Sequence, residues 1–148
     1  MRGRGRIEAP SVAGEIATRV DVEPTIFAFD DLAVGQRALL TREVVAADRG
    51  LDGAAAPFGQ AIGVGAFTLG LVAEVLGTRL PGPGAVYLSQ TSQFLAPVQA
   101  GDVVTAQVEV VELVPSHGRA RLFCECLSGG RAVFEGEAWI ALKRRPGA

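Results

Sequence analysis

Few groups in this chain could do chemistry, and their types narrow what that chemistry can be. One histidine, His117, occurs in 148 residues. A Ser-His-Asp arrangement would have to use it, yet it stands between Ser116 and Gly118 in a stretch that reads as a solvated hairpin turn. Cys124 and Cys126 are spaced i, i+2 within an apolar alternation, so both fall on one face of a strand as small core residues in a reducing compartment. Zinc would need further Cys or His ligands, and no metal site is expected. Asp48 and Asp52 could form a carboxylate pair, although both lie in a Gly- and Ala-rich connection where surface carboxylates are ordinary. The run Gly59–Gly65 lacks the Lys and Ser/Thr of a phosphate loop. Gly63 and Gly65 remain, near the start of an apolar helical stretch. Backbone N–H groups at a helix start are unpaired and sit at the positive end of its dipole, so they can bind a carbonyl oxygen or an oxyanion. Close helix–sheet packing is the competing use of the same two glycines.

These groups have to be positioned by one folded unit. At 148 residues, 49% hydrophobic and 20% charged, the chain suits a single domain that buries most of its unfolded surface, which excludes disorder throughout. A formal charge of −2 offers no bulk field for nucleic acid. The basic clusters, Arg2-Arg4-Arg6 and Lys143-Arg144-Arg145, are terminal and read as solvated tails. No apolar segment follows the first arginines in the manner of a secretory signal, so a cytoplasmic location is expected. Gly53 to Ala73 is 21 residues without a charge, long enough for a bilayer, but Pro57, Gln60 and repeated Gly favour a buried helix over a membrane span.

The order of elements follows from the periodicity. Residues 1–24 have no clear period and read as an N-terminal arm. Ala38 to Val45 reads as a strand, and Ala46 to Phe58 stays undecided. Ala61 to Leu76 is apolar nearly all round and predicts a helix enclosed by other elements, with Gly77 as its C-cap and Pro81-Gly82-Pro83-Gly84 forbidding continuation. Period two then takes over in Ala85–Leu95, Val103–Val114, the run from Arg119 and the run from Ala132 to Leu142. One strand, one apolar helix and four strands of a meander predict an α+β fold: a single hot-dog domain over 25–143, its antiparallel sheet curled around one long apolar helix. Residues 144–148 form a basic C-terminal tail.

A resemblance adds to this. Phe58-Gly59-Gln60-Ala61-Ile62, Gly65, Leu76-Gly77-Thr78-Arg79-Leu80-Pro81-Gly82-Pro83-Gly84-Ala85-Val86-Tyr87-Leu88-Ser89-Gln90, Phe94-Leu95-Ala96-Pro97-Val98 and Gly101-Asp102-Val103-Val104-Thr105-Ala106 resemble the MaoC-like family, most closely its single-domain R-specific enoyl-CoA hydratases. The match is continuous from Phe58 to Thr105 and looser through the final hairpins. It implies a dimeric hot-dog subunit, no cofactor, and an acyl-CoA or acyl-carrier-protein thioester in a tunnel beside the central helix. Gly63, Val64, Phe67, Tyr87 and Gln90 are the tunnel residues it suggests, and Gly65 is the glycine whose N–H faces the thioester carbonyl. The family also carries a D-x-N-P-x-H segment whose Asp and His activate water and exchange the α-proton. Here the corresponding interval, Ala46 to Pro57, is shorter and contains no His and no Asn. Asp48 falls near its start and, with Asp52 as the alternative, is a candidate substitute base, Val64 replaces a family His, and Ala73 stands where related hydratases often have Ser.

Three readings follow. The first is a hydratase or dehydratase using Asp48 and the Gly65 N–H. The second is a non-catalytic subunit or binding module, alone or beside a catalytic hot-dog partner. The third is a repurposed isomerase or cyclase on a carrier-bound, polyketide-like acyl chain. An acyl-thioester hot-dog protein of hydratase ancestry is the common core of all three. A homodimer is expected because one curled sheet leaves an open edge, and Phe123 and Trp139 are positioned to pack against the N-terminal arm or a partner.

Overall fold

Val104, Ala106, Val108 and Val110 alternate with Thr105, Gln107 and Glu109, and this period-two pattern forms the longest strand of the sheet. The computed structural model describes residues 28–45 and 59–145, with the side chains of 59–64 left out. Their elements are β1 (Arg37–Glu43), α1 (Gly59–Thr78), β2 (Val86–Phe94), β3 (Val103–Val114), β4 (Arg119–Ser128) and β5 (Arg131–Ala141). The five strands form one sheet in the order β1-β3-β4-β5-β2, every neighbouring pair antiparallel. The hot-dog expectation holds: β3, β4 and β5 follow one another as hairpins, and α1 packs against β3, β1 and β4. At the β4–β5 turn Gly129 and Gly130 take φ of 58° and 79°, the left-handed pair that a two-residue hairpin requires and that side chains resist.

The core lies between α1 and the sheet. Leu71, Val72, Val75 and Leu76 of α1 meet Val104, Ala106, Val108, Val110, Leu122, Phe134, Ala138 and Ile140. Among the described side chains of the helix only that stripe, with Thr68, is fully buried, while Ala66, Gly70 and Gly77 are exposed. The helix therefore has two faces after all, distinguished by side-chain size instead of polarity, which is why its composition reads as apolar all round. Gly77 is not the C-cap: α1 runs one residue past it, and its φ is not positive. The end is closed beyond, by Leu80 N–H on Val75 O at 3.0 Å and Gly82 N–H on Leu76 O at 2.9 Å.

Two further expectations change. Arg144 and Arg145 are engaged: Arg144 pairs with Asp30 at 3.5 Å and lies 5.3 Å from the Phe29 ring centroid, and Arg145 pairs with Asp31. The Arg145 guanidinium holds the Asp31 carboxyl below its ordinary range. Phe29 N–H also donates to Lys143 O at 2.9 Å, so the end of β5 is clasped to the short turn at Phe29–Asp31. The second change concerns the sheet face away from α1, whose centre at Gln107 and Glu125 is buried. The expected N-terminal arm, residues 1–24, lies outside the described residues.

Candidate functional site

The sequence-based candidates fall into three groups in space. Asp48, with Asp52, lies outside the described residues. Gly63, Val64, Gly65 and Phe67 all sit in the first half of α1. Because the helix begins at Gly59, Gly63 and Gly65 come after its first turn, where N–H groups already meet carbonyls one turn back. Neither glycine is therefore at the helix start where the free donors lie. What distinguishes Gly65 is space: a Cβ there would stand 3.3 Å from Phe94 Cε1. The Phe94 ring covers this point of the helix and makes an edge contact with Phe134, centroids 5.5 Å apart. Thr68, 2% exposed, donates its hydroxyl to Gly65 O at 2.9 Å, and the Cys126 thiol reaches Thr68 O at 3.7 Å. Phe67 packs partly buried against the core.

Tyr87 and Gln90 form the third group. Three residues apart on a regular strand they would face opposite sides. A register shift between Tyr87 and Ser89 breaks the alternation, and a bulge of this kind turns both side chains to the helix side. There the Tyr87 hydroxyl donates to Gln90 Oε1, Gln90 Nε2 donates to Thr91 O at 2.6 Å, and the Gln90 side chain hydrogen-bonds the Cys124 thiol. Close approach of β2 to β5 depends on Gly136, where a Cβ would lie 1.9 Å from Thr91 O and 3.1 Å from Gln90 Nε2. Burial, reinforced by nearby Cys124, pushes the Tyr87 phenol up to about 12. Burial likewise pushes the Cys124 thiol up to about 12, against the Gln90 hydrogen bond, and raises Cys126 as well.

Gly65 and Gln90 therefore mark two ends of a track along the helix side of β2. Phe94 pairs with Phe134 at one end and Gln90 with Ala138 at the other, four residues or roughly 13 Å apart. Thr68, Cys126, Cys124 and Ala138 are buried beside it, all uncharged at neutral pH. Such a wall suits an apolar chain with a few polar atoms, and it supplies no proton donor or acceptor that titrates near pH 7. His117 is exposed on the turn before β4, its Nδ1 at 2.9 Å from Ser116 Oγ. Seven residues of β4, roughly 23 Å, separate the start of β4 beside it from Cys126 and Thr68. Among the described residues no cluster of His, Cys, Asp and Glu could hold a metal, and no helix is long and apolar enough to cross a membrane.

Thr68, Phe94 and Gly136 escaped the sequence reading. A lone Thr in an apolar helix was the one available signal, whereas Phe94 and Gly136 matter through partners distant in the chain.

Comparison with known proteins places the chain. The MaoC like domain matches residues 48–121. The chain is also 42% identical to a 3-hydroxybutyryl-CoA dehydratase of Methylorubrum extorquens, covering 83% of this chain and 88% of that protein. The chain belongs to the MaoC-like family. A second relative, an (R)-specific enoyl-CoA hydratase of Rhodospirillum rubrum, is 37% identical over 79% of this chain and 92% of its own. Among solved structures, the unliganded R-hydratase of Pseudomonas aeruginosa superposes with a TM-score of 0.69 at 29% identity, covering 80% of this chain and 86% of that one. Within this MaoC-like chain the D-x-N-P-x-H segment is missing, since its one histidine is His117. The span matched to the Methylorubrum protein has 139 positions, yet this chain contributes 83% of its 148 residues to it. Part of that span thus has no counterpart here.

Proposed function

We propose that this MaoC-like protein binds an acyl thioester, of coenzyme A or of an acyl carrier protein, along the Gly65–Gln90 track, without hydrating it by the family's carboxylate–imidazole route. The missing imidazole carries the reading: the chain's single histidine stands on an exposed turn, roughly 23 Å along β4 from the helix contact. A positioned acid or base contributes about 10²–10⁴-fold to rate, so hydration that lacks both proceeds far below ordinary enzyme rates. Asp48 is the residue that would carry any remaining water activation. Gly65 contributes by its missing side chain, which lets the Phe94 ring close onto α1.

The assembly we propose is a homodimer through β2. That strand pairs on one side alone, with β5, and its neighbourhood exposes Val86, Tyr87, Leu88, Phe94 and Leu95, an open edge that a second strand would complete. The same edge supports a second reading, a non-catalytic subunit joined to a catalytic hot-dog partner. Mass measurement of the isolated protein separates them, since a stable dimer of this chain alone occupies the β2 edge that the other partner would need.

Crotonyl-CoA tests the function. Purified protein should be stabilised against heat by crotonyl-CoA and by butyryl-CoA, and should hydrate the former at least about 100-fold more slowly than an acid–base-competent enzyme. Asp48→Asn should abolish any residual rate. Turnover at ordinary rates overturns the dyad-free reading, and absence of both turnover and stabilisation overturns thioester binding.

A further inference from the structure

The sheet face turned away from α1 is buried at its centre, and no described element lies over it. Leu39, Gln107 and Glu125 are cross-strand neighbours on that face, with Glu109 and Phe123 alongside on one flank and Thr105 and Leu127 on the other. Glu125 is 1% exposed, Leu127 2%, Gln107 5% and Glu109 9%. Around them the rim of the face is open, with the Arg37 and Glu112 side chains 53% and 44% exposed. Helix α1 cannot be the cover, because its buried stripe packs on Val104, Ala106, Val108 and Leu122, whose side chains leave the opposite side of the same strands. A glutamate at the middle of a bare sheet face stays wet, since losing water is unfavourable for a carboxylate unless other groups replace it.

We propose that this face is a docking surface for residues 1–27 of the same chain, with Arg2, Arg4 and Arg6 meeting its acidic centre. The described chain starts beside the sheet. Phe29 is buried in the core and tied to Lys143 O just past β5, so the preceding residues enter at that edge of the molecule. Twenty-seven extended residues reach up to roughly 90 Å, whereas the patch from β1 to β5 is about 14 Å across. Residues 1–27 as a whole balance four arginines against four acids, and charge favours placing their first six residues over the acidic centre. The face carries Glu43, Glu109, Glu112, Glu125, Glu135 and Glu137 against Arg37, Arg119 and Arg121. Arg37 is committed to Glu109, and Arg121 to Glu112 and Glu137. The first six residues bring three arginines and no acid. With this face occupied from within, a second copy or another hot-dog subunit is left the sheet edges at β1 and β2.

Photo-crosslinking of the full-length protein tests the occupant. Phe123 is replaced by p-benzoylphenylalanine, and equal amounts of isotopically light and heavy protein are mixed, irradiated, digested and read by mass spectrometry. Cross-links from position 123 to residues 1–27 of the same copy are expected. Links to residues 46–58, or to a copy of the other isotope, overturn the proposal. Hydroxyl-radical footprinting of the unsubstituted protein guards against a variant that does not fold. Phe123 and Leu127 should be oxidised several-fold more slowly than in the denatured chain, and oxidation at the denatured rate overturns the proposal outright.

Discussion

A missing Cβ does different work at different glycines of this chain, and substitution separates the cases. At Gly136 an added methyl would meet Thr91 O at 1.9 Å, backbone against backbone, so Gly136→Ala should cost about 1–3 kcal/mol by overpacking and displace Gln90 from Thr91. At Gly70, exposed on α1 with nothing within 4 Å of the built Cβ, alanine should stabilise by about 0.5–1 kcal/mol and raise Tm by about 2–4 °C. Thermal denaturation of the two variants checks both signs. The thiols offer a chemical check. Burial raises Cys124 and Cys126, and the thiolate is the nucleophile, so iodoacetamide at pH 8 should spare both in the folded protein and modify both once it is unfolded. Fast labelling of the native protein would contradict the packing of Cys124 against Gln90.

Among the elements, β2 is the one whose role depends on what lies beyond the chain. It is an edge strand with large apolar side chains outward and a bulge at Tyr87–Ser89. A charge at its exposed centre should block edge-to-edge pairing, so Leu88→Lys is expected to turn a dimer into a monomer by analytical ultracentrifugation with little change in circular dichroism. A monomeric parent protein would remove the proposed assembly. The bulge also shows where local sequence stops being informative. Tyr87 and Gln90 stood out by resemblance, but strand periodicity places them on opposite faces, and only the pairing of β2 with β5 around Gly136 turns them together. Helix α1 shows the converse: its existence was plain from Ala61 to Leu76, while its start at Gly59, which moves Gly65 out of the first turn, depends on where the chain enters the fold.

For the whole molecule, titration of the buried groups predicts a pH limit. Folding raises Cys124 and Tyr87 to about 12 and Cys126 further, against unfolded values of about 8.5 for Cys and 10 for Tyr. The folded state therefore holds these protons more tightly. Its advantage is full below about pH 8.5 and declines as pH rises towards 12. Chemical denaturation at stepped pH should show the midpoint falling from pH 9 upward, and a flat profile would contradict the burial of these groups. Determined by the sequence alone are the order of elements, because periods of two and 3.6 are local patterns, and the absence of a D-x-N-P-x-H string, because the chain's one histidine is His117. Tertiary structure decided that Phe94 closes over Gly65, that Tyr87 meets Gln90, that the arginines after β5 clasp Asp30 and Asp31, and that the centre of the polar sheet face is buried. Except for Tyr87 and Gln90, whose bulge is set by pairing with β5, these contacts join residues far apart in the chain, and hydrophobic burial and strand pairing select them only when the whole chain is folded.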